Sequence, residues 1–313
     1  MSSAASLASS SAAIDRFVVG DACILRVEES CFDALDPYEI YPDVRPEHLA
    51  DNLSWLVPGF LHPASGRLVV SFQSFIVQAD GKTIVVDTCV GDCKHRARPA
   101  FDRQAWGWLD RLRSASIEPE DVDIVVCTHF HVDHVGWNTR LDGDRWVPTF
   151  PRATYLFPQN ELDYWGSAAG ARAMARTGDY WADSIAPILE ADLARAIRPG
   201  HIVSPSVAVR EAHGHTPGSV AVEVQSRGQR ALLIGDVAHT LLQLRYPDWN
   251  TRFCTNPEAA RETRLRILEE AARTQTLLLP NHFVAPTAGL VEQGAGGFSY
   301  RYVGSARPVF ELR

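Results

Sequence analysis

Apolar and polar positions fall into alternating blocks along this 313-residue chain, and the blocks give a first map of its elements. Phe17 to Val27 alternates enough to predict an opening strand. Leu68 to Gln78 and Thr83 to Asp87 are apolar runs flanking Ala79-Asp80-Gly81-Lys82, which predicts a hairpin with the right turn chemistry. Phe101 to Leu112 carries apolar residues at 101, 105, 108, 109 and 112, a helical stripe. Val122 to Thr128 predicts a strand, and Ala153 to Phe157 another. Pro158 to Trp165 starts a helix in the position proline favours. Ala168 to Ile197 reads as a helical insertion whose faces are mixed. Ser219 to Val224 and Arg230 to Ile234 predict a second hairpin across Gly228. Asn256 to Arg273 predicts a helix capped by Asn256, with Pro257 in its first turn. Thr276 to Leu279 returns to a sheet. Cys31 to Leu61 stays irregular, rich in Pro, Asp and aromatics such as Tyr38, Tyr41, Trp55 and Phe60. A long segment of this kind is either a surface cover with its own small core or a wall over a site.

Composition narrows the classes. A hydrophobic fraction of 46% describes an ordinary globule. The length suits one α/β domain, expected over residues 17–313. Residues 1–16 are Ser/Ala-rich, with neither a basic start nor an apolar block of signal-peptide length, and predict a flexible N-terminal tail. No stretch approaches the ~18–20 apolar residues of a membrane span. The net charge of −8 and the lack of a Lys/Arg run argue against nucleic acid. They fit a small neutral or hydrophobic substrate. The six cysteines are Cys23, Cys31, Cys89, Cys93, Cys127 and Cys254. Cys89-x-x-x-Cys93 lacks the partner pair of a structural zinc knuckle, so all six are expected as reduced thiols in a cytoplasmic protein.

The candidate chemistry is concentrated. Thr128-His129-Phe130-His131-Val132-Asp133-His134-Val135-Gly136 puts three histidines and an aspartate within six positions. It follows the apolar run Ile124 to Cys127, and so sits on a loop leaving a buried strand. His215, Asp236 and His282 follow downstream. A surface cluster, or histidines satisfied in a core, would need no metal. Five imidazoles and two carboxylates are enough, however, to hold two adjacent divalent ions, and they suit zinc as well as iron, manganese or cobalt. Such a pair could hold a hydroxide and polarise an ester, lactone, amide or phosphoryl oxygen.

The motif His-x-His-x-Asp-His with a distant His, Asp and His resembles the metallo-β-lactamase superfamily. Supporting segments match: Thr83 to Thr88, Gly214-His215-Thr216-Pro217-Gly218-Ser219, Leu232 to Asp236, and Pro280-Asn281-His282-Phe283. The layout is most similar to the branch with acyl-homoserine lactonases and methyl parathion hydrolase. The resemblance implies a four-layer αβ/βα sandwich, two mixed β-sheets flanked by helices. It implies that His129, His131 and His215 hold one metal, that Asp133, His134 and His282 hold another, and that Asp236 bridges the two. Two Zn2+ ions are expected, with a metal-bridging hydroxide opening a lactone or cleaving a carboxylic ester. Asp87 would support the site without binding metal. Acyl-homoserine lactonases commonly place a Tyr three residues after the bridging Asp, and here that residue is His239. It is either a proton or hydrogen-bond donor or a pocket wall. Asp133 and His239 are thus the expected catalytic residues. Trp137, Phe130 and Phe253 are weaker candidates for the pocket lining. An organophosphate or aryl-ester hydrolase on the same site is the near alternative, and an iron-dependent oxidoreductase of the same fold a more distant one. A small-molecule substrate and a homodimer complete the expectation.

Overall fold

The computed structural model describes residues 14–294 and 296–304. In chain order its strands are β1 (Ile14–Val19), β2 (Ala22–Leu35), β3 (Leu68–Ala79), β4 (Lys82–Val86), β5 (Ile124–Val126), β6 (Thr139–Asp142), β7 (Arg145–Pro148) and β8 (Thr154–Pro158). They continue with β9 (Ala194–Ile197), β10 (Ile202–Ser204), β11 (Val207–Glu211), β12 (Val220–Ser226), β13 (Gln229–Gly235), β14 (Leu277–Pro280), β15 (Gly289–Gly294) and β16 (Gly297–Tyr302). β6 and β7 pair with each other as a separate ribbon; of the two large sheets, one has the order β1-β2-β3-β4-β5-β8-β9, and the other runs β10 to β16 in sequence order. Both are mixed: β4, β5, β8 and β9 pair parallel, as do β13 and β14, and the remaining neighbours pair antiparallel.

Period-two geometry explains why the runs are apolar on both faces. Successive strand side chains point to opposite sides. Ile84 and Val86 of β4 join Val126, Phe75 and Val77 in a core shared with Val220, Val222, Val224 and Leu233 of the other sheet. Their neighbours Val85, Val125, Ile76, Leu232 and Ile234 face the other way. There they pack in the outer core with Trp108 and Leu112 on one side and Ile267 and Leu268 on the other. The result is the four-layer αβ/βα sandwich, since strands buried on both faces need helices outside each sheet.

The predicted elements hold with specific corrections. The hairpin of β3 and β4, the hairpin of β12 and β13 and the helix Pro257–Thr274 match, and the Asn256 side chain accepts from the Ala259 amide as a cap should. The opening strand instead folds back at Gly20-Asp21 into β1 and β2. Of the expected tail, residues 1–13 lie outside the described residues, whereas Ile14 to Arg16 belong to β1. The stripe from Phe101 is helical only over Trp108–Ser114, because Arg103 and Gly107 sit at positive φ, 48° and 70°. The 168–197 insertion forms three short helices and then β9, a sheet edge. Cys23, Cys89, Cys93, Cys127 and Cys254 are free thiols. No helix among the described residues is long and apolar enough to cross a membrane.

Close backbone contact holds the first motif in place. The Gly136 and Trp137 amides donate to the Cys89 and Thr88 carbonyls at 2.8 and 2.7 Å. A Cβ on Gly136 would lie 1.8 Å from the Val90 carbonyl oxygen. Only a glycine lets the segment after His134 pack so closely on the segment after β4. Gly136→Ala is therefore expected to cost about 2 kcal/mol or more, at the upper end of overpacking changes. Urea denaturation should show the lower midpoint, and an unchanged midpoint would contradict this packing.

Candidate metal centre

The carboxyl ends of β4, β5, β13 and β14 meet at one edge of the sandwich, the usual place for sites in open α/β sheets. They deliver Asp87, the 129–134 loop, Asp236 and His282 in that order. Buried Asp87 ties them together. It accepts from the Thr128 amide (2.7 Å) and hydroxyl (2.8 Å), from His134 Nδ1 (2.8 Å) and from Asn281 Nδ2 (2.8 Å). A donated Nδ1–H leaves His134 Nε2 as a bare lone pair facing the centre. His282 is fixed the same way, its Nδ1 lying 3.0 Å from the Ser71 carbonyl. The fourth corner, His215, rides on a turn that Gly214 makes possible. At φ +123°, a Cβ there would strike the Ala260 amide of the capped helix at 2.1 Å.

The structure brings all seven expected ligands together. Asp236 Oδ2 lies 3.6 Å from His129 Nε2 and 3.2 Å from His215 Nε2. Its Oδ1 lies 3.1 Å from His134 Nε2 and 3.2 Å from His282 Nε2. His131 Nδ1 is 3.2 Å from His129 Nε2 and 2.9 Å from His215 Nε2. Asp133 Oδ2 stands 3.6 Å from His282 Nε2. The donor atoms form one group from His129, His131, His215 and Asp236, and another from Asp133, His134 and His282, each within 4.8 Å. Three imidazole nitrogens that converge on one another cannot all be satisfied by hydrogen bonds, whereas a shared cation would satisfy them together. His134 Nε2 and Asp236 Oδ1 are likewise buried without a hydrogen-bond partner. The donor set therefore fits two divalent ions.

Electrostatics suits the same purpose. Burial, reinforced by neighbouring imidazoles, holds His129 and His131 well below the ordinary histidine range, so both rings are neutral. Burial pushes the Asp236 carboxyl up, but the surrounding imidazoles outweigh it and hold it well below the usual range.

His239 reaches the same centre. Its Nε2 is 3.1 Å from Asp236 Oδ2, and its ring stacks on His282 at 5.2 Å between centroids. Asp236, His239 and His282 form a third possible donor group. Burial pulls its pKa down to about 4 despite Asp236, so the ring is neutral at pH 7. Neither ring nitrogen makes a hydrogen bond. Its backbone is held instead, through the His239 amide donating to Gln243 Oε1 (2.8 Å), which Tyr41 also contacts at 3.3 Å.

The cluster opens into a cavity of about 850 Å3. One wall comes from Leu35, Asp36, Glu39 and Ile40, so the 31–61 segment does line the site, although it is not irregular but folds into the end of β2 and three short helices, Pro37–Ile40, Pro46–Ala50 and Leu53–Leu56. Ala173, Arg176, Thr177 and Tyr180 of the helical insertion form another, and Phe253 a third. Trp137 and Phe130 do not line it. Both are buried core, and Trp137 Nε1 donates to Glu29 at 2.8 Å. Sequence reasoning missed Glu161. This buried carboxylate accepts from the Phe130 amide (2.8 Å), the Gly218 amide (2.6 Å) and Trp165 Nε1 (2.7 Å), clamping the 129–134 loop to the His215 turn. No periodicity marks such a residue. Cys254, expected only as a reduced thiol, places its Sγ 3.8 Å from His215 Nδ1, on the side of that ring away from the cluster.

Residues 69–282 match the model of the metallo-beta-lactamase superfamily. No curated protein matches the chain by sequence. Among solved structures it resembles AbOPH, a hydrolase in the beta lactamase superfamily (21% identity, TM-score 0.79, 94% of this chain and 98% of that one). It also resembles AidC, a dizinc quorum-quenching lactonase in complex with a product (19% identity, TM-score 0.77, 94% and 98%). A third likeness is to an AiiA variant from B. thuringiensis with N-decanoyl-L-homoserine bound at its active site (15% identity, TM-score 0.58, 87% and 100%). At such identities the likeness carries the fold. The superfamily match spans most of the chain, and with the sandwich and the edge-bound histidine–aspartate cluster it gives the assignment: this chain belongs to the metallo-beta-lactamase superfamily.

Proposed function

We propose that this chain is a dinuclear metal-dependent hydrolase that opens a lactone or cleaves a carboxylic ester. The observation that carries the reading is the split of one carboxylate, Asp236 Oδ2 toward His129 and His215 and Oδ1 toward His134 and His282. That is the arrangement a bridging ligand needs. His129, His131 and His215 would hold one ion, and Asp133, His134 and His282 the other. The five imidazoles favour zinc. When bound, the pair of ions supplies an activated water and Lewis-acid polarisation of the substrate oxygen.

The protein's own residues do the rest. Asp87 and the Ser71 carbonyl keep His134 and His282 in the tautomer that presents Nε2. Glu161 holds the two ligand-bearing loops at fixed separation. His239 sits beside Asp236 with unpaired ring nitrogens, so its N–H is free for the carbonyl oxygen or leaving group of a substrate. A histidine rather than a tyrosine there keeps an organophosphate or aryl ester as the second reading. A panel of lactones, aryl esters and phosphotriesters on metal-quantified protein decides between them, and failure to hydrolyse any lactone or carboxylic ester would reject the first.

Elemental analysis of fully active protein should find two metal ions per chain, and one or fewer would refute the dinuclear reading. Asp236→Ala should lower activity about a thousandfold, the effect of losing a few kcal/mol at the transition state. His239→Ala is expected to lower kcat about a hundredfold with both ions retained, at the low end for a proton donor. A passive wall would instead change KM and leave turnover intact. Light scattering at micromolar concentration should give a dimer of the 34.6 kDa chain, and a monomer would refute the expected assembly.

A further inference from the structure

The cavity above the cluster is cationic on one side. Arg67 and Arg98 both line it, together with Asp133, Asp236 and His282. Their guanidinium groups meet at a single backbone oxygen: Arg67 Nη2 and Arg98 Nη2 donate to the Ala34 carbonyl at 2.8 and 2.7 Å. Arg67 Nε takes the Asp33 carbonyl at 3.0 Å, and Arg98 stands over the Phe101 ring at 4.9 Å. Among the described residues, no carboxylate forms an ion pair with either arginine. The buried Arg26 and Arg96, by contrast, are paired with Asp15 and Asp183. Two like charges share one neutral acceptor, half out of water; burial lowers the Arg98 pKa against the attraction of Asp133, and the Arg67 charge lowers it further. Among the described residues, no acceptor takes Arg67 Nη1 or Arg98 Nε and Nη1. Arg176 and Arg252 add positive charge to the same cavity. Its acids outside the cluster are Glu39 and Asp36, and Asp36 accepts from the Tyr38 amide as a helix cap.

We propose that the substrate carries a carboxylate remote from the bond that is cleaved, and that Arg67 and Arg98 bind it. This rests on the hydrolase reading above and names a substrate class for it. Guanidinium donors match a carboxylate in pairs, which a lysine or a neutral donor does not reproduce. A carboxylate between the two groups relieves their mutual repulsion and uses the donors left free. The acyl or leaving group between that anion and the cluster lies along Phe72 and Phe101, which line the intervening wall.

The test compares two 4-nitrophenyl esters on metal-loaded protein, the butyrate and the hemiglutarate, which differ in a terminal carboxylate. The wild type should favour the hemiglutarate in kcat/KM by at least about tenfold, through KM. Arg98→Gln and Arg67→Gln should each reduce that preference severalfold, and Arg98→Lys should restore part of it. No preference in the wild type, or equal losses on both esters in the variants, would overturn the proposal and leave the arginines as pins for the Ala34 carbonyl. Should one variant fail to fold in a thermal melt, the other decides. If neither ester is cleaved, the ester-hydrolase reading fails, and calorimetry with glutarate then judges the anion site separately. Binding lost in the Arg67→Gln/Arg98→Gln double variant supports the site, and binding unchanged there rejects it.

Discussion

The organisation of this molecule depends on one buried carboxylate that faces away from solvent and from substrate. Asp87 receives four donors from the end of β5, the first motif and the segment after β14. Buried charge is costly unless fully hydrogen-bonded, so the interaction exists only when all these segments arrive together. The residue also holds φ at +57°, an unfavourable setting for a side chain with a Cβ. Strand pairing brings the segments near one another, and Asp87 fixes their relative orientation to the precision that converging imidazoles require.

How much of this was legible in the sequence follows from the range of each interaction. The seven-residue set was legible because its chemistry is unusual and four of its members are close neighbours in the chain. The hairpin turn at Asp80-Gly81 and the cap at Asn256 were legible because each is decided by two or three adjacent residues. Phe17 to Val27 was misread because a period-two pattern looks the same through a tight turn, and only the antiparallel register reveals the reversal at Gly20-Asp21. The stripe at Phe101 to Leu112 imitated a helix because Phe101 and Trp108 are both drawn into the core from different local structures. β15 and β16 went unseen, as did Glu161, because a short edge strand and a buried clamp are defined by partners far along the chain. Glu161, for example, meets its partners 31 and 57 residues away.

A net charge of −8 averages over the whole surface, where pairs such as Arg227 with Asp21 and Arg261 with Asp248 largely cancel. The cavity samples a few side chains at close range, and there arginines outnumber the acids that lie outside the cluster. Field strength in a cleft depends on that local inventory.

Two walls of the cavity come from the 31–61 segment and the 168–197 insertion, and neither contributes a member of the cluster. The two parts of the site are therefore separable units of inheritance. Insertions, deletions and substitutions in the walls can alter which molecules enter while the strand ends that hold the imidazoles stay untouched. A lineage built this way can explore new substrates without first losing its chemistry.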